Sequence, residues 1–119
     1  MKKIIALLLV VSLLSCEEIV NEPNISNETI TLLAPANDTT LEKGKTISFN
    51  WVYLGDSLNY HLQVATPTFA QASQIKLDTV VNVNQFSIDS LSANSYEWRV
   101  KGVNFAYETE YTINGFVVE

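Results

Sequence analysis

The sequence predicts an all-β fold, a sandwich of seven short strands, and three observations carry that prediction. Ser95 to Asn104 alternates Tyr96, Trp98 and Val100 with Glu97, Arg99 and Lys101. That is the period of two by which a strand sends successive side chains to opposite faces of a sheet. Short runs of the same kind recur from Thr29 onward, separated by turn-forming residues and without a helical period. Finally, Tyr96 opens its strand just after a turn. A tyrosine there can bury its ring and bond its hydroxyl to backbone a few residues upstream, a corner device of sandwich folds.

Taken in order, Thr29 to Leu33 is expected as the first strand, closed by the turn residues Ala34-Pro35-Ala36-Asn37-Asp38. Thr46 to Tyr53 follows the Lys43-Gly44-Lys45 turn, with Ile47, Phe49, Trp51 and Tyr53 inward. After Gly55-Asp56-Ser57, a third strand turns Tyr60, Leu62 and Val64 inward and His61 and Gln63 outward. A loop through Pro67 and Phe69 leads to Gln74–Val80, then to Gln85–Ile88, and Asp89–Asn94 turns into the central strand. In the last strand, Tyr111 to Val118, Tyr111 and Ile113 have one parity and Phe116 and Val118 the other. A bulge at Asn114-Gly115 would reconcile them.

The chain has 119 residues, 47% apolar and 17% charged, room for one domain with one core. Met1-Lys2-Lys3 and the apolar run from Ile4 to Leu14 form a basic and a hydrophobic region. As a helix the run reaches roughly 17 Å against a ~30 Å hydrocarbon core, so residues 1–15 are expected as a signal peptide and not a membrane span. Leu13-Leu14-Ser15-Cys16 resembles the lipobox of bacterial lipoproteins. The resemblance implies lipidation of Cys16, an outer-membrane lipoprotein on the periplasmic face or the cell surface, and a membrane partner reached through more than one acyl chain. Residues 16–28, acidic and Asn-rich, are expected as a lipidated cysteine and a solvated tether, with the sandwich over 29–119. Without the leader, five basic residues face thirteen acidic ones. A surface of net charge −8 repels nucleic acid and anionic membrane. Cys16 is the only cysteine, which excludes an internal disulfide and a cysteine metal site.

Trp51, Tyr60-x-Leu62-x-Val64, Leu91 and Tyr96-x-Trp98-x-Val100-x-Gly102-x-Asn104 together resemble a fibronectin type III domain of the immunoglobulin-like class, over Leu33 to Val118. The chain departs from the common animal pattern in having no proline after Leu91 and one residue fewer between Leu91 and Tyr96. Tyr60-x-Leu-Gln-Val-Ala65 with Phe69, then Tyr96-x-Trp98-Arg99-Val100, is similar to modules of outer-membrane lipoproteins of glycan-foraging bacteria, including starch-utilisation accessory proteins. The resemblance implies a non-catalytic interaction or spacer module whose partner is an envelope protein, with a glycan-binding accessory module as the alternative.

Catalysis finds little support in the residues. Nucleophilic chemistry needs a base, and the one histidine, His61, sits on an exposed strand face. No second histidine, calcium-loop spacing or Gly-rich phosphate turn occurs, so neither a metal nor another cofactor is expected. Carboxylate pairs could be drawn from Asp56, Asp78, Asp89, Glu97, Glu108 and Glu110, but a ~90-residue sandwich offers no deep cleft to desolvate them. The best ligand candidate is the segment joining the last two strands. There Tyr107 offers an aromatic face for a sugar, and Asn104, Glu108 and Glu110 offer groups for its hydroxyls. The alternative is that Phe105 or Tyr107 folds back to cap the core.

Each of the four aspartates is followed by a hydroxyl residue and then by Thr, Leu or Val: Asp38-Thr-Thr, Asp56-Ser-Leu, Asp78-Thr-Val and Asp89-Ser-Leu. Such pairs are ordinary turn chemistry. The pattern also resembles the acceptor site of a general bacterial O-glycosylation system, which implies Thr39, Ser57, Thr79 and Ser90 as acceptors, all expected to be accessible in turns or at a strand end.

Overall fold

Eight strands pair into two sheets in the computed structural model, which describes residues 22–119. The strands are β1 (Leu32–Ala34), β2 (Thr39–Leu41), β3 (Ile47–Trp51), β4 (Asn59–Thr66), β5 (Gln74–Val81), β6 (Gln85–Ile88), β7 (Asn94–Val103) and β8 (Thr112–Val118). One sheet has the order β1-β3-β6 and the other β2-β8-β7-β4-β5. The leader and Cys16 lie outside the described residues.

The inner faces supply the core that the alternation predicts. Phe49 and Trp51 from β3 meet Tyr60, Leu62 and Val64 from β4, Tyr96, Trp98 and Val100 from β7, and Phe116 and Val118 from β8, all buried. Tilted ring pairs cross the sandwich, with centroids 5.1 Å apart for Phe49–Trp98 and 5.6 Å for Trp51–Tyr60. Both fall in the range where the positive edge of one ring meets the negative face of another. The tyrosine corner is present: Tyr96 Oη donates to the Ser92 carbonyl at 2.7 Å.

Several expectations are corrected. The strand count is eight because Thr39–Leu41 pairs with β8, parallel to it, with Thr39 opposite Phe116. Three residues are too few to show a period, and Asp38, at φ 63°, turns the chain from one sheet to the other just before them. The first strand starts at Leu32, not Thr29, although Ile30 upstream is buried. Strand β3 stops at Trp51, and Tyr53 is exposed instead of inward, its hydroxyl donating to Asp56 Oδ1 at 2.8 Å. No bulge occurs at Asn114-Gly115, since β7 and β8 pair in continuous register from Asn94↔Val118 to Val100↔Thr112. The parity change has another cause. Tyr111 and Ile113 simply lie on the outer face, and Asn114 rather than an apolar residue pairs with Trp98. A register shift lies instead between Val64 and Ala65 of β4, against β5.

The solvated tether is corrected over residues 22–28, and its residues 16–21 lie outside the described residues. From residue 22 the chain is strapped to the domain: Ile25 and Ile30 are buried in the core cluster. Two isoleucines in an acidic segment are apolar surface that the end of the sandwich covers. Ile30 packs over Gly102 of β7, where even a Cβ would stand in ordinary contact, 3.4 Å from Ile30 Cδ1.

Candidate functional site

The segment between β7 and β8 is organised by Asn104. Its backbone N–H donates to the Tyr107 carbonyl at 2.9 Å. Its Oδ1 accepts from the N–H groups of Ala106 at 3.0 Å and Tyr107 at 2.7 Å. Its Nδ2 donates to the Pro23 carbonyl at 2.8 Å, and the next residue, Phe105, donates its N–H to Glu22 Oε1 at 3.1 Å. The asparagine side chain is thus spent on shaping the loop and holding the strap. Glu108 pairs with Lys101 at 3.2 Å. Thr109, buried, exchanges bonds with Gly102: its N–H donates to the Gly102 carbonyl and its Oγ1 accepts the Gly102 N–H. Neither Phe105, 85% exposed, nor Tyr107, 38% exposed, caps the core.

Of the four ligand candidates, Glu108 and Glu110 line a polar recess of about 310 Å³ with Ser26, Lys101, Thr109 and Tyr111. Asn104 and Tyr107 are not part of it. Loop 52–58 and loop 82–84 lie at the same end, and Pro23, Asn24, Ile25 and Glu28 of the strap line a second recess with Leu54, Gly55, Asp56 and Leu58. The hydrogen bond from Tyr53 raises its phenol above its ordinary value because it stabilises the protonated form beside the Asp56 carboxylate.

A second constellation lies on the outer face of the five-stranded sheet. The guanidinium of Arg99 sits 4.0 Å from the centroid of the Phe69 ring and 4.1 Å from that of Tyr111, while Lys101 Nζ stands 4.8 Å from the Tyr111 centroid. These are cation–π distances. Arg99 Nε donates to Gln63 Oε1 at 2.8 Å, and Glu97 accepts the Phe69 N–H instead of pairing with a cation. His61 bonds Tyr111 Oη through Nδ1 at 3.0 Å and Asp78 Oδ1 through Nε2 at 2.5 Å. The histidine bond, foremost, holds the Asp78 carboxyl below its ordinary value. Both imidazole nitrogens are occupied, and on this face Lys101 pairs with Glu108 while Arg99 is held by two rings and an amide oxygen. The parity of Tyr111 and Ile113 was the available signal for it.

The four hydroxyls of the Asp-Ser/Thr triplets divide two and two. Ser57 and Ser90 are exposed in loops, Ser57 at φ 62°. Thr39 is half-buried in β2, and Thr79 is half-buried within β5, opposite Leu62 and on the core side. The expectation that all four are accessible is corrected for these two.

Among solved structures the chain is similar to FN3tt, with a TM-score of 0.52 at 12% identity over 76% of this chain and 97% of that one. It is also similar to the chicken CNTN1 FN1-FN3 domains, with a TM-score of 0.50 at 12% identity over 80% of this chain and 33% of that one. No family model and no curated protein matches the chain. The fold is therefore a fibronectin type III-like β-sandwich.

Proposed function

We propose that this chain is a lipid-anchored outer-membrane lipoprotein whose single β-sandwich is a non-catalytic interaction or spacer module of the cell envelope. The observations that carry the reading are the Leu13-Leu14-Ser15-Cys16 motif in the sequence and the docking of the segment that follows it onto one end of the sandwich. Glu22 and Pro23 are held at the end bearing Asn104 and Phe105. A domain tied at one end beside its anchor presents the other end, with loops 35–38, 42–46 and 89–93, away from the surface. Glycan binding through the β7–β8 loop is the weaker reading, because Asn104 and Glu108 already have partners within the protein. Replacing Cys16 with serine is expected to move the protein from the membrane fraction to the soluble fraction of the native host. Retention of Cys16→Ser in the membrane would overturn the lipoprotein reading.

A further inference from the structure

The two ends of the sandwich differ in what they expose. Among the described residues, ten large hydrophobic side chains are exposed, and five of them, Val52, Tyr53, Val83, Phe105 and Tyr107, belong to the end where residue 22 is held. The others lie on β1, β5 and β8, and the opposite end's loops expose none. Single exposed apolar residues need no explanation, but their collection at one end does. Phe105 makes the case sharpest. It stands at a loop tip that Asn104 builds with three bonds of its own, so the ring is held outward and is 85% exposed.

Chain length says what covers this end. Six residue steps separate Cys16 from Glu22, a reach of at most about 20 Å even when fully extended. We propose that this end of the sandwich rests on the lipid surface, with Phe105 and Tyr107 at the headgroup level. The inference rests on the lipoprotein reading for its setting in the cell. Tyrosine suits the place, since its ring is apolar and its hydroxyl wet, and Tyr53 already has its hydroxyl tied to Asp56. The charges select the lipid. Glu22, Glu28, Asp56, Glu108 and Glu110 stand at this end against Lys101, itself paired with Glu108, so the surface is zwitterionic and not anionic.

The test uses the chain from Cys16 onward, which keeps every described residue. Its single cysteine is coupled to maleimide-headgroup lipid in phosphatidylcholine–phosphatidylethanolamine vesicles containing brominated acyl chains. Attachment is then chemical, so the result does not depend on lipidation in the host, which Cys16→Ser tests separately. Tryptophan is introduced as Phe105→Trp or, at the opposite end, as Gln71→Trp, both at exposed positions. Phe105→Trp emission is expected to shift to the blue and to be quenched at least about twofold more than Gln71→Trp, with the difference shrinking when phosphatidylglycerol is added. Equal quenching of the two variants would overturn the proposal, as would a larger difference on the anionic vesicles.

Discussion

Trp98 Nε1 donates to the Pro35 carbonyl at 3.1 Å, a buried bond that links the middle of β7 to the residue just after β1 in the opposite sheet. Trp51, equally buried and 6.5 Å away between ring centroids, has no acceptor for its Nε1 among the described residues. The two indoles therefore make a matched pair. Changing either to phenylalanine removes a similar volume from the same core, but only Trp98→Phe strands the carbonyl that its indole satisfied. Trp98→Phe is expected to be the more destabilising by about 1–3 kcal/mol, read as the difference in unfolding free energy between the variants in urea. Equal losses would show that the bond to Pro35 contributes nothing net.

The bond between His61 and Asp78 makes an acid limb of stability legible. Asp78 has a folded value depressed chiefly by that bond, so its contribution is fully present above the ordinary carboxylate value of about 4. It is lost as pH falls through the depressed folded value. Asp78→Asn lacks the contribution at every pH. The gap in melting temperature between parent and Asp78→Asn is expected to be widest above pH ~5 and to close toward pH ~2. Because Asp78 is half exposed, the gap should also shrink at high salt. A gap independent of pH would assign the bond no role in stability.

How much of this was open to sequence reading depends on the range of the interactions. The core was legible because β3, β4 and β7 each repeat an inward residue at every second position, and a period needs only neighbours. Strand β2 was not, because three residues hold no period and its partner, β8, lies more than seventy positions on. The strap was missed for the same reason: Asn104 and Pro23 are 81 positions apart, and nothing local to Glu22 distinguishes a docked segment from a solvated one. Ile25 and Ile30 were the only hint. On the outer face, the alternation marks Arg99 as outward but cannot show that Phe69 and Tyr111, from two separate loops, come to it at similar distance. Polar alternation identifies which face is wet, but the partner each polar group takes is decided by register, and register emerges only when the strands pair.

Exposure separates the four hydroxyls that the Asp-Ser/Thr triplets single out. A transferase acting on the folded domain needs a hydroxyl clear of the sheet, which Ser57 and Ser90 provide. Thr79 shares the core side of β5 with Leu77 and Val81, where a sugar would have to enter between the sheets, and Thr39 is held in register with Phe116. Protein purified from the native host is therefore expected to carry glycan mass on the peptides containing Ser57 and Ser90 and none on those containing Thr39 and Thr79. Peptide mass mapping decides it. Glycan on Thr79 would mean that modification precedes folding and that β5 tolerates the sugar at the sheet edge. Bare peptides at all four positions would leave the triplets as turn chemistry, with Asp38 and Ser57 serving only the positive φ that their turns require.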